Sequence, residues 1–443
     1  MRILGIETSC DETAISVIEI SGSRARSRIK VLSNIVSSQA KLHAKFGGVV
    51  PNLAKREHQR NLVPALLAAL QEARLRELRS KNKELRMRSS AKTRNSKFSI
   101  LNSILVREPD SFARMVEYVL PMKPPAIDAI AVTVGPGLAP ALWVGVNFAR
   151  ALSFLWQKPL IPVNHMTGHL YSSLLQPAQR NPKFEIRNPK QIQNFPPKAD
   201  PPLAGKSKTK NRLGFRVSSL EFPAIALLVS GGHTELVLMR GYGKYKVVGE
   251  TLDDAAGEAF DKVAKMLGLG FPGGPPISAA AEMELKVKSL PRAGSRGPKL
   301  KVNLPRPMIH SKDFNFSFSG LKTAVLYLLR DLRGKYPLSK IRPAVASEFQ
   351  QAVVDVLVSK TIRAAKKSKV KTVMIGGGVA ANKKLRHELG EALTKTLPAV
   401  SCMLPVTSLT GDNALMIALA GWFNRNKKTA WRSVQADANL RLR

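Results

Sequence analysis

The sequence predicts an α/β protein of two lobes, each built around a parallel or mixed sheet. Three observations lead there. At 443 residues the chain exceeds what one hydrophobic core usually holds. A strand-turn-strand pattern opens the chain and returns at residues 224–239 around Ser230-Gly231-Gly232, which points to duplicated halves. Residues 127–134, 138–155 and 160–163 read as strand, helix and strand, the order of a βαβ unit.

In chain order, a first strand meets a turn through residues 5–13, followed by a strand at 14–20, a basic loop and an apolar run at 31–37. Residues 52–70 are a helix, because Leu62, Ala65, Leu66 and Leu70 recur at helical spacing. Beyond Arg74 that periodicity fades and 89–99 is too polar to hold an element, so 74–123 reads as a basic insertion within an N-terminal lobe spanning 1–170. Seven prolines between Pro177 and Pro202, then a lysine-rich run, mark 171–221 as a basic, proline-rich linker or insertion. The C-terminal lobe, 222–411, continues with a helix at 253–267, a loop at 270–276 and a basic insertion at 285–312. Helices near 321–333 and 343–367, a strand at 373–375 and a helix at 380–397 follow. Residues 412–443 form a closing helix and a tail expected to pack back on the N-terminal lobe.

Lys and Arg number 70 against 31 acids, a formal charge of +39, which favours a polyanionic partner and above all nucleic acid. Segments 74–123, 180–216 and 286–312 each carry +8, so 24 of the 39 excess charges lie in the insertions. With aromatics only 6% of the chain, those segments are expected to grip phosphates rather than stack bases. Only Cys10 and Cys402 occur, which excludes a disulfide framework and suits a reducing cytoplasm. Residues 129–149 carry no charge, yet Gly135-Pro136-Gly137 and Pro140 interrupt them, so a strand, turn and helix fit better than a membrane span.

His165 and His169 stand four apart where a strand runs into a helix, so both imidazoles share one face and can share a metal ion. Met166 follows the first histidine, so the glutamate base of an H-E-x-x-H metalloprotease is missing. Three glycine turns follow strands, Gly135-Pro136-Gly137, Ser230-Gly231-Gly232 and Gly376-Gly377-Gly378, and their amides can bind anions. Each alone is equally an ordinary turn. No Walker A motif is present, and no acid ends the strand after Gly376 to hold a ribose as in a Rossmann fold.

These motifs, with Gly5-Ile-Glu-Thr-Ser-Cys-Asp-Glu-Thr13, His43-Ala-Lys-Phe-Gly-Gly-Val-Val-Pro51, Arg56-Glu-His58, Asp253 to Lys262, Phe316 to Lys322, Gly376 to Asn382 and Asp412 to Ala418, occur in order along nearly the whole chain. Together they resemble the TsaD (Gcp) family of tRNA N6-adenosine threonylcarbamoyltransferases, of the bacterial type. The resemblance implies the two-lobed actin-like ATPase (ASKHA) fold of sugar kinases and Hsp70-type ATPases, with duplicated ribonuclease-H-like lobes and here basic insertions. It implies transfer of threonylcarbamoyl from threonylcarbamoyl-AMP to the exocyclic amine of adenosine 37 in tRNAs reading codons that begin with A. It also implies one divalent metal, Fe2+ or Zn2+, on His165, His169 and Asp412. Substrate contacts would fall to Leu228, Val229, Ser230, Gly231, Gly232, Asp261, Gly274 and Asn382. TsaB- and TsaE-like proteins would be partners, and a TsaC-type enzyme would supply the adenylate; no membrane is implied.

Glu12 or Asp11 would accept the amine proton or shape the site, although acids in hairpin turns are often only solvated. Cys10 has no paired base and reads as a small buried thiol. Asn52 stands where the family commonly has glutamate and Gly411 where threonine often precedes the aspartate. Competing classes are a metal-dependent glycoprotein endopeptidase, a small-molecule kinase on the same fold and a non-enzymatic nucleic-acid-binding protein. The histidine pair argues against the kinase, whose Mg2+ takes oxygen ligands.

Overall fold

The computed structural model describes residues 1–24, 27–75, 91–177, 190–191, 214–289, 302–332 and 335–442, with the side chains of 91–94, 190–191 and 285–289 excepted. Much of the three basic segments, at 76–90, 178–189, 192–213 and 290–301, lies outside the described residues, as do the expectations placed on those stretches. The chain forms two units. The first comprises Met1–Ala40, Val49–Ser219 and Gly411–Leu442; the second comprises Lys41–Gly48 and Leu220–Thr410.

In the first unit β1 (Arg2–Glu7), β2 (Glu12–Ser21) and β3 (Arg28–Ser38) are antiparallel neighbours, while β4 (Ala129–Gly135) and β5 (Leu160–Asn164) add parallel strands beyond β1. The order is β5-β4-β1-β2-β3, continued past β3 by Gly214–Val217 and Leu175–Pro177. Three short pieces of the expected linker, these two and Lys190–Gln191, which pairs with β3, are therefore sheet. Ile3, Leu4, Ile6, Ile15, Val17 and Ile18 are all buried, as the near-continuous apolar runs of a sheet covered on both faces require. Leu4, Ile6, Ile15 and Val17 share a core with α1 (Pro51–Glu72) and, beyond α2 (Ala91–Ile104), with α3 (Ala139–Trp156). The closing helix, Ala414–Phe423, packs against β1, β2 and β4 with all ten of its residues buried. Glycines permit that approach. A Cβ on Gly5 would stand 2.2 Å from the Ala414 carbonyl oxygen, and one on Gly421 would stand 2.5 Å from Ala131 Cβ.

The second unit repeats the pattern. Its strands β6 (Ala224–Val229), β7 (Thr234–Gly241), β8 (Lys244–Glu250), β9 (Thr372–Gly376) and β10 (Ser401–Met403) lie in the order β8-β7-β6-β9-β10. As in the first unit, the central strand has a parallel neighbour on one side (β9) and an antiparallel hairpin partner on the other (β7). The helices are α4 (His165–Ser172) in the first unit and, in the second, α5 (Ala256–Met266), α6 (Gly274–Ser289), α7 (Ser319–Leu332), α8 (Leu338–Lys367) and α9 (Lys383–Thr396). Ile225, Leu227, Phe260, Val263, Phe349 and Val353 anchor one core. Two α/β units with one strand order are the duplicated, actin-like pattern.

Some elements differ from expectation. Of the polar stretch at 89–99, residues 91–99 belong to α2, whose burial comes from residues just beyond them: Leu101, Ile104 and Leu105 are buried, and Phe98 meets Phe112 edge-on at 5.2 Å. A window centred on the polar run misses that apolar stripe. Strand β8 lacks a clean alternation because it is a sheet edge, half exposed and lysine-bearing. Among the described residues no helix is long and apolar enough to cross a membrane.

The contacts of Gly5 make a stability prediction. Gly5→Ala should lower the unfolding free energy by about 1–3 kcal/mol through overpacking. Gly390→Ala, within α9 with nothing near its Cβ position, should raise it by about 0.5–1 kcal/mol. Urea unfolding of both variants checks this, and a neutral Gly5→Ala would refute the close seating of the closing helix.

Candidate active site

Strand β5 ends at Asn164, whose Oδ1 accepts hydrogen bonds from Met166 N (2.8 Å) and Thr167 N (3.3 Å) and so starts α4. Every residue of this short helix is buried, and His165 and His169 stand on consecutive turns with ring centroids 4.7 Å apart. Their Nε2 atoms approach to 3.1 Å. Asp412 comes from the segment before the closing helix, where Asn413 caps Met416 N at 3.1 Å. Its Oδ1 lies 3.0 Å from His169 Nε2 and 3.5 Å from His165 Nε2. Around a tetrahedral ion with bonds of about 2.0–2.1 Å, ligand atoms sit about 3.3 Å apart, so these three separations suit one metal ion.

Glu7, at the end of β1, was not singled out as a functional residue from the sequence. Its Oε2 lies 3.0 Å from His165 Nδ1 and accepts from Thr133 Oγ1 at 2.6 Å, while Oε1 accepts from Ser9 N at 2.5 Å. Ser9 Oγ also meets His165 Nδ1 at 3.2 Å. A carboxylate behind a ligating imidazole turns the opposite nitrogen toward the metal position and makes it more basic. Burial alone would lower the His165 pKa, but Asp412 and Glu7 outweigh it and raise it to about 9. Burial pushes Glu7 up, and His165 more than reverses that, leaving the carboxyl below its usual range. The one sequence signal for Glu7 is an acid inside a strand whose neighbours are all buried. His169 has no such support: its Nδ1 is buried without a hydrogen-bond partner among the described residues.

The turn between β1 and β2 carries Cys10 and Asp11, and Glu12 opens β2. His58, from α1, braces it, with Nε2 3.0 Å from the Cys10 carbonyl and Nδ1 2.7 Å from Thr13 Oγ1. Burial, Asp11 and Asp412 hold the Glu12 carboxyl well above its usual range, and Ser38 Oγ donates to its Oε1 at 3.1 Å. Burial and the same carboxylates push the Cys10 thiol well up, so it stays protonated and is a poor nucleophile. The concentration of carboxylates around the histidines matches a cation site.

The tail also reaches the elements of the site. Asn164 Nδ2 donates to the Leu440 carbonyl at 3.1 Å, Gly137 N to Ala438 O at 3.2 Å, and Asp437 N to Val134 O at 2.7 Å. A Cβ on Gly137 would come within 2.6 Å of the Ser9 carbonyl, and Leu138 N donates to that same oxygen at 2.8 Å. The tail thus braces both the cap of α4 and the glycine turn beside Ser9.

In the second unit Ser230, Gly231 and Gly232 form the turn between β6 and β7, closed by Ser230 N to His233 O at 2.8 Å and His233 N to Ser230 Oγ at 3.2 Å. Both glycines are exposed, with nothing within 4 Å of their Cβ positions. Leu228 and Val229 are buried in β6, so what they can offer a ligand is backbone. Gly377, at φ +90°, packs its bare Cα against Val229 O, bringing the turn after β9 against the turn after β6. Gly257, opening α5, likewise abuts the Ser230 carbonyl. Loops at the carboxyl ends of parallel strands are where open α/β sheets bind ligands. Asp261 Oδ1 accepts from Gly273 N at 2.6 Å and fixes the loop before Gly274, the unobstructed first residue of α6. Asn382 caps α9, its Oδ1 accepting from Leu385 N at 3.0 Å and its Nδ2 donating to Gln350 Oε1 at 2.8 Å. The structure therefore joins the two glycine turns and ties Asp261 to the Gly274 loop, while Asn382 caps its own helix through Oδ1 and reaches Gln350 of α8 through Nδ2.

A sequence profile described as "TsaD: tRNA N6-adenosine threonylcarbamoyltransferase" matches residues 30–78, 116–186 and 211–419. The protein called tRNA N6-adenosine threonylcarbamoyltransferase in Thermomicrobium roseum is 39% identical, covering 99% of this chain and 95% of its own. Those in Persephonella marina (37% identical, 100% of this chain and 96% of its own) and Thermosipho melanesiensis (39%, and 100% of both) carry the same name. The chain belongs to the TsaD family of tRNA N6-adenosine threonylcarbamoyltransferases.

Proposed function

We propose that this protein, acting in the cytoplasm, transfers the threonylcarbamoyl group from threonylcarbamoyl-AMP to N6 of adenosine 37 in tRNAs that read codons beginning with A. The observation that carries the reading is the His165, His169 and Asp412 triad in a chain of this family, backed by Glu7 and followed by Met166 rather than a glutamate base. That missing base disfavours a glycoprotein endopeptidase. The adenosine amine forms a bond to the carbamoyl carbon, the bond from that carbon to the phosphate oxygen breaks, AMP leaves and the amine loses a proton.

His165, His169 and Asp412 would hold one Fe2+ or Zn2+, which when bound supplies Lewis-acid polarisation of the carbamoyl carbonyl. Glu7 keeps His165 aimed at that position. The amides of Gly231 and Gly232 and the hydroxyl of Ser230 take phosphate or carboxylate, while Asp261, the Gly274 amide and Asn382 bound the nucleoside. Glu12 and Asp11 are the groups available for the amine proton; burial and neighbouring carboxylates hold the proton on Glu12, which makes that carboxylate a strong base once ionised. Cys10 plays no covalent part. TsaB- and TsaE-like partners and a TsaC-type supplier of the adenylate belong to the same reading.

Expression in a strain depleted of its own enzyme should restore threonylcarbamoyladenosine, read by mass spectrometry of tRNA nucleosides, and His169→Ala should not. Failure of the unaltered protein would sink the reading. Purified protein should bind about one Fe2+ or Zn2+ per chain by elemental analysis. Glu7→Gln should weaken metal affinity by about 10–100-fold while leaving the three ligands in place, and an unchanged affinity would remove Glu7 from the centre.

Because His165 is protonated below about 9 in the metal-free protein, metal uptake near neutrality must displace that proton. Titration calorimetry in buffers of different ionisation enthalpy should show close to one proton released. Apparent affinity should rise about tenfold per pH unit approaching that value and level off above it.

A further inference from the structure

The basic loop between β2 and β3 takes no part in the chemistry above. Its sequence, Ser21-Gly22-Ser23-Arg24-Ala25-Arg26-Ser27-Arg28, alternates arginine with small residues; Ala25 and Arg26 lie outside the described residues. Arg28 opens β3 directly opposite Arg216 of the strand Gly214–Val217, and both side chains are exposed. Like charges so placed repel across about 5 Å. Ile29 and Phe215 beside them are buried, so Arg28, Lys30 and Arg216 share one exposed face. Glu19, opposite Lys30, is held by Arg2 Nε at 2.8 Å.

Strand register continues that face to Arg2, Leu4 and Ile6, whereas the closing helix lies on the Gly5 side. A second arginine pair stands at the far end of that helix. Arg24 Nη2 donates to Phe423 O and Arg425 Nη1 to Trp422 O, each at 3.0 Å. Burial and then the neighbouring Arg24 lower the Arg425 pKa, a sign that the two guanidiniums feel each other. A helix end offers about half a negative charge, which cannot neutralise two full positive ones. Among the described residues none of Arg24, Arg28, Arg216 and Arg425 forms an ion pair.

Two unneutralised arginine pairs, one on each face of a hairpin tip, make a thin cationic rib. A groove with a phosphate strand along either wall fits it, and an A-form RNA stem presents such a groove, wide and shallow, on its minor side. Residues 21–28 include no apolar side chain larger than alanine, so the tip has nothing to sink into a membrane or to anchor a protein interface. It stands at the end of the closing helix away from Asp412, about 15 Å along ten residues. One folded RNA with a base at the metal centre spans that distance.

We propose that the tip of the β2–β3 hairpin is a phosphate-binding rib that enters a groove in a helical stem of the tRNA substrate, away from the metal centre. Arg28 and Arg216 take one phosphate strand, and Arg24 and Arg425 take the other. The inference rests on the transferase reading.

Full-length Arg28→Ala/Arg216→Ala, the matching double lysine variant and Arg24→Ala would be compared with the unaltered protein. The measurements are binding of unmodified tRNA across a salt series, thermal unfolding, and the KM of tRNA and of the adenylate. The double alanine variant should bind tRNA about tenfold more weakly, and the slope of log affinity against log salt should shrink by about two. Its unfolding midpoint should not drop, because a repulsion has been removed. The tRNA KM should rise while kcat and the adenylate KM hold, and the double lysine variant should keep the original slope. Arg24→Ala should shrink the slope by about one. An unchanged slope in either alanine variant overturns the rib. So does a double alanine variant that binds tRNA normally but loses binding to phosphatidylserine vesicles shown by the unaltered protein, which would assign the arginines to a membrane. The transferase reading is decided separately, by whether the unaltered protein makes threonylcarbamoyladenosine, since tRNA binding needs no turnover.

Discussion

The seating of one helix on one sheet is the constraint on which the candidate metal centre depends. Residues 414–423 lie directly on β1 and β4 because Gly5 and Gly421 leave no side chains between backbone and sheet. That docking fixes where Asp412, two residues before the helix, must stand: 3.0 Å from His169 Nε2. A bulkier residue at either glycine would lift the helix and move the carboxylate away from the imidazoles, although it touches none of the three. Packing and chemistry are here one problem.

Electrostatics follow from that geometry. Four carboxylates, Glu7, Asp11, Glu12 and Asp412, crowd one region, and two of them, Asp412 and Glu7, outweigh burial and push the His165 imidazole up to about 9. Such a concentration of acidic groups beside two imidazoles is a setting that would favour a divalent cation. Burial and the same crowding keep the Cys10 thiol protonated, so a residue placed like a nucleophile is silenced by its surroundings.

The duplicated halves put the same device to different uses. In each unit a glycine after a parallel strand packs on the turn after the central strand: Gly137 against Ser9 in the first, Gly377 against Val229 in the second. In the first unit this supports His165 through Ser9 Oγ, 3.2 Å away, and a tail brace at Asn164 holds the other side. In the second unit the turn bears open glycines and a serine, suited to a phosphate or carboxylate. The internal symmetry is one of backbone, and the side chains placed upon it give the two units different chemistry.

Local pattern by itself determined the strand-turn-strand openings, the βαβ order, the helices with apolar stripes and the shared face of His165 and His169, because each is set by residues within a few positions of one another. Motif resemblance extended this to Asp412 and to the glycine turns of the second unit. Only the tertiary structure decided that Glu7 stands behind His165, that His58 holds the acidic turn, that residues 437–440 brace Asn164 and that Arg28 stands opposite Arg216. Those pairs are distant in the chain and follow no period. Their meeting is settled by which helix lies on which strand and by where a missing Cβ lets backbone approach, quantities that belong to the packed whole rather than to any window of sequence.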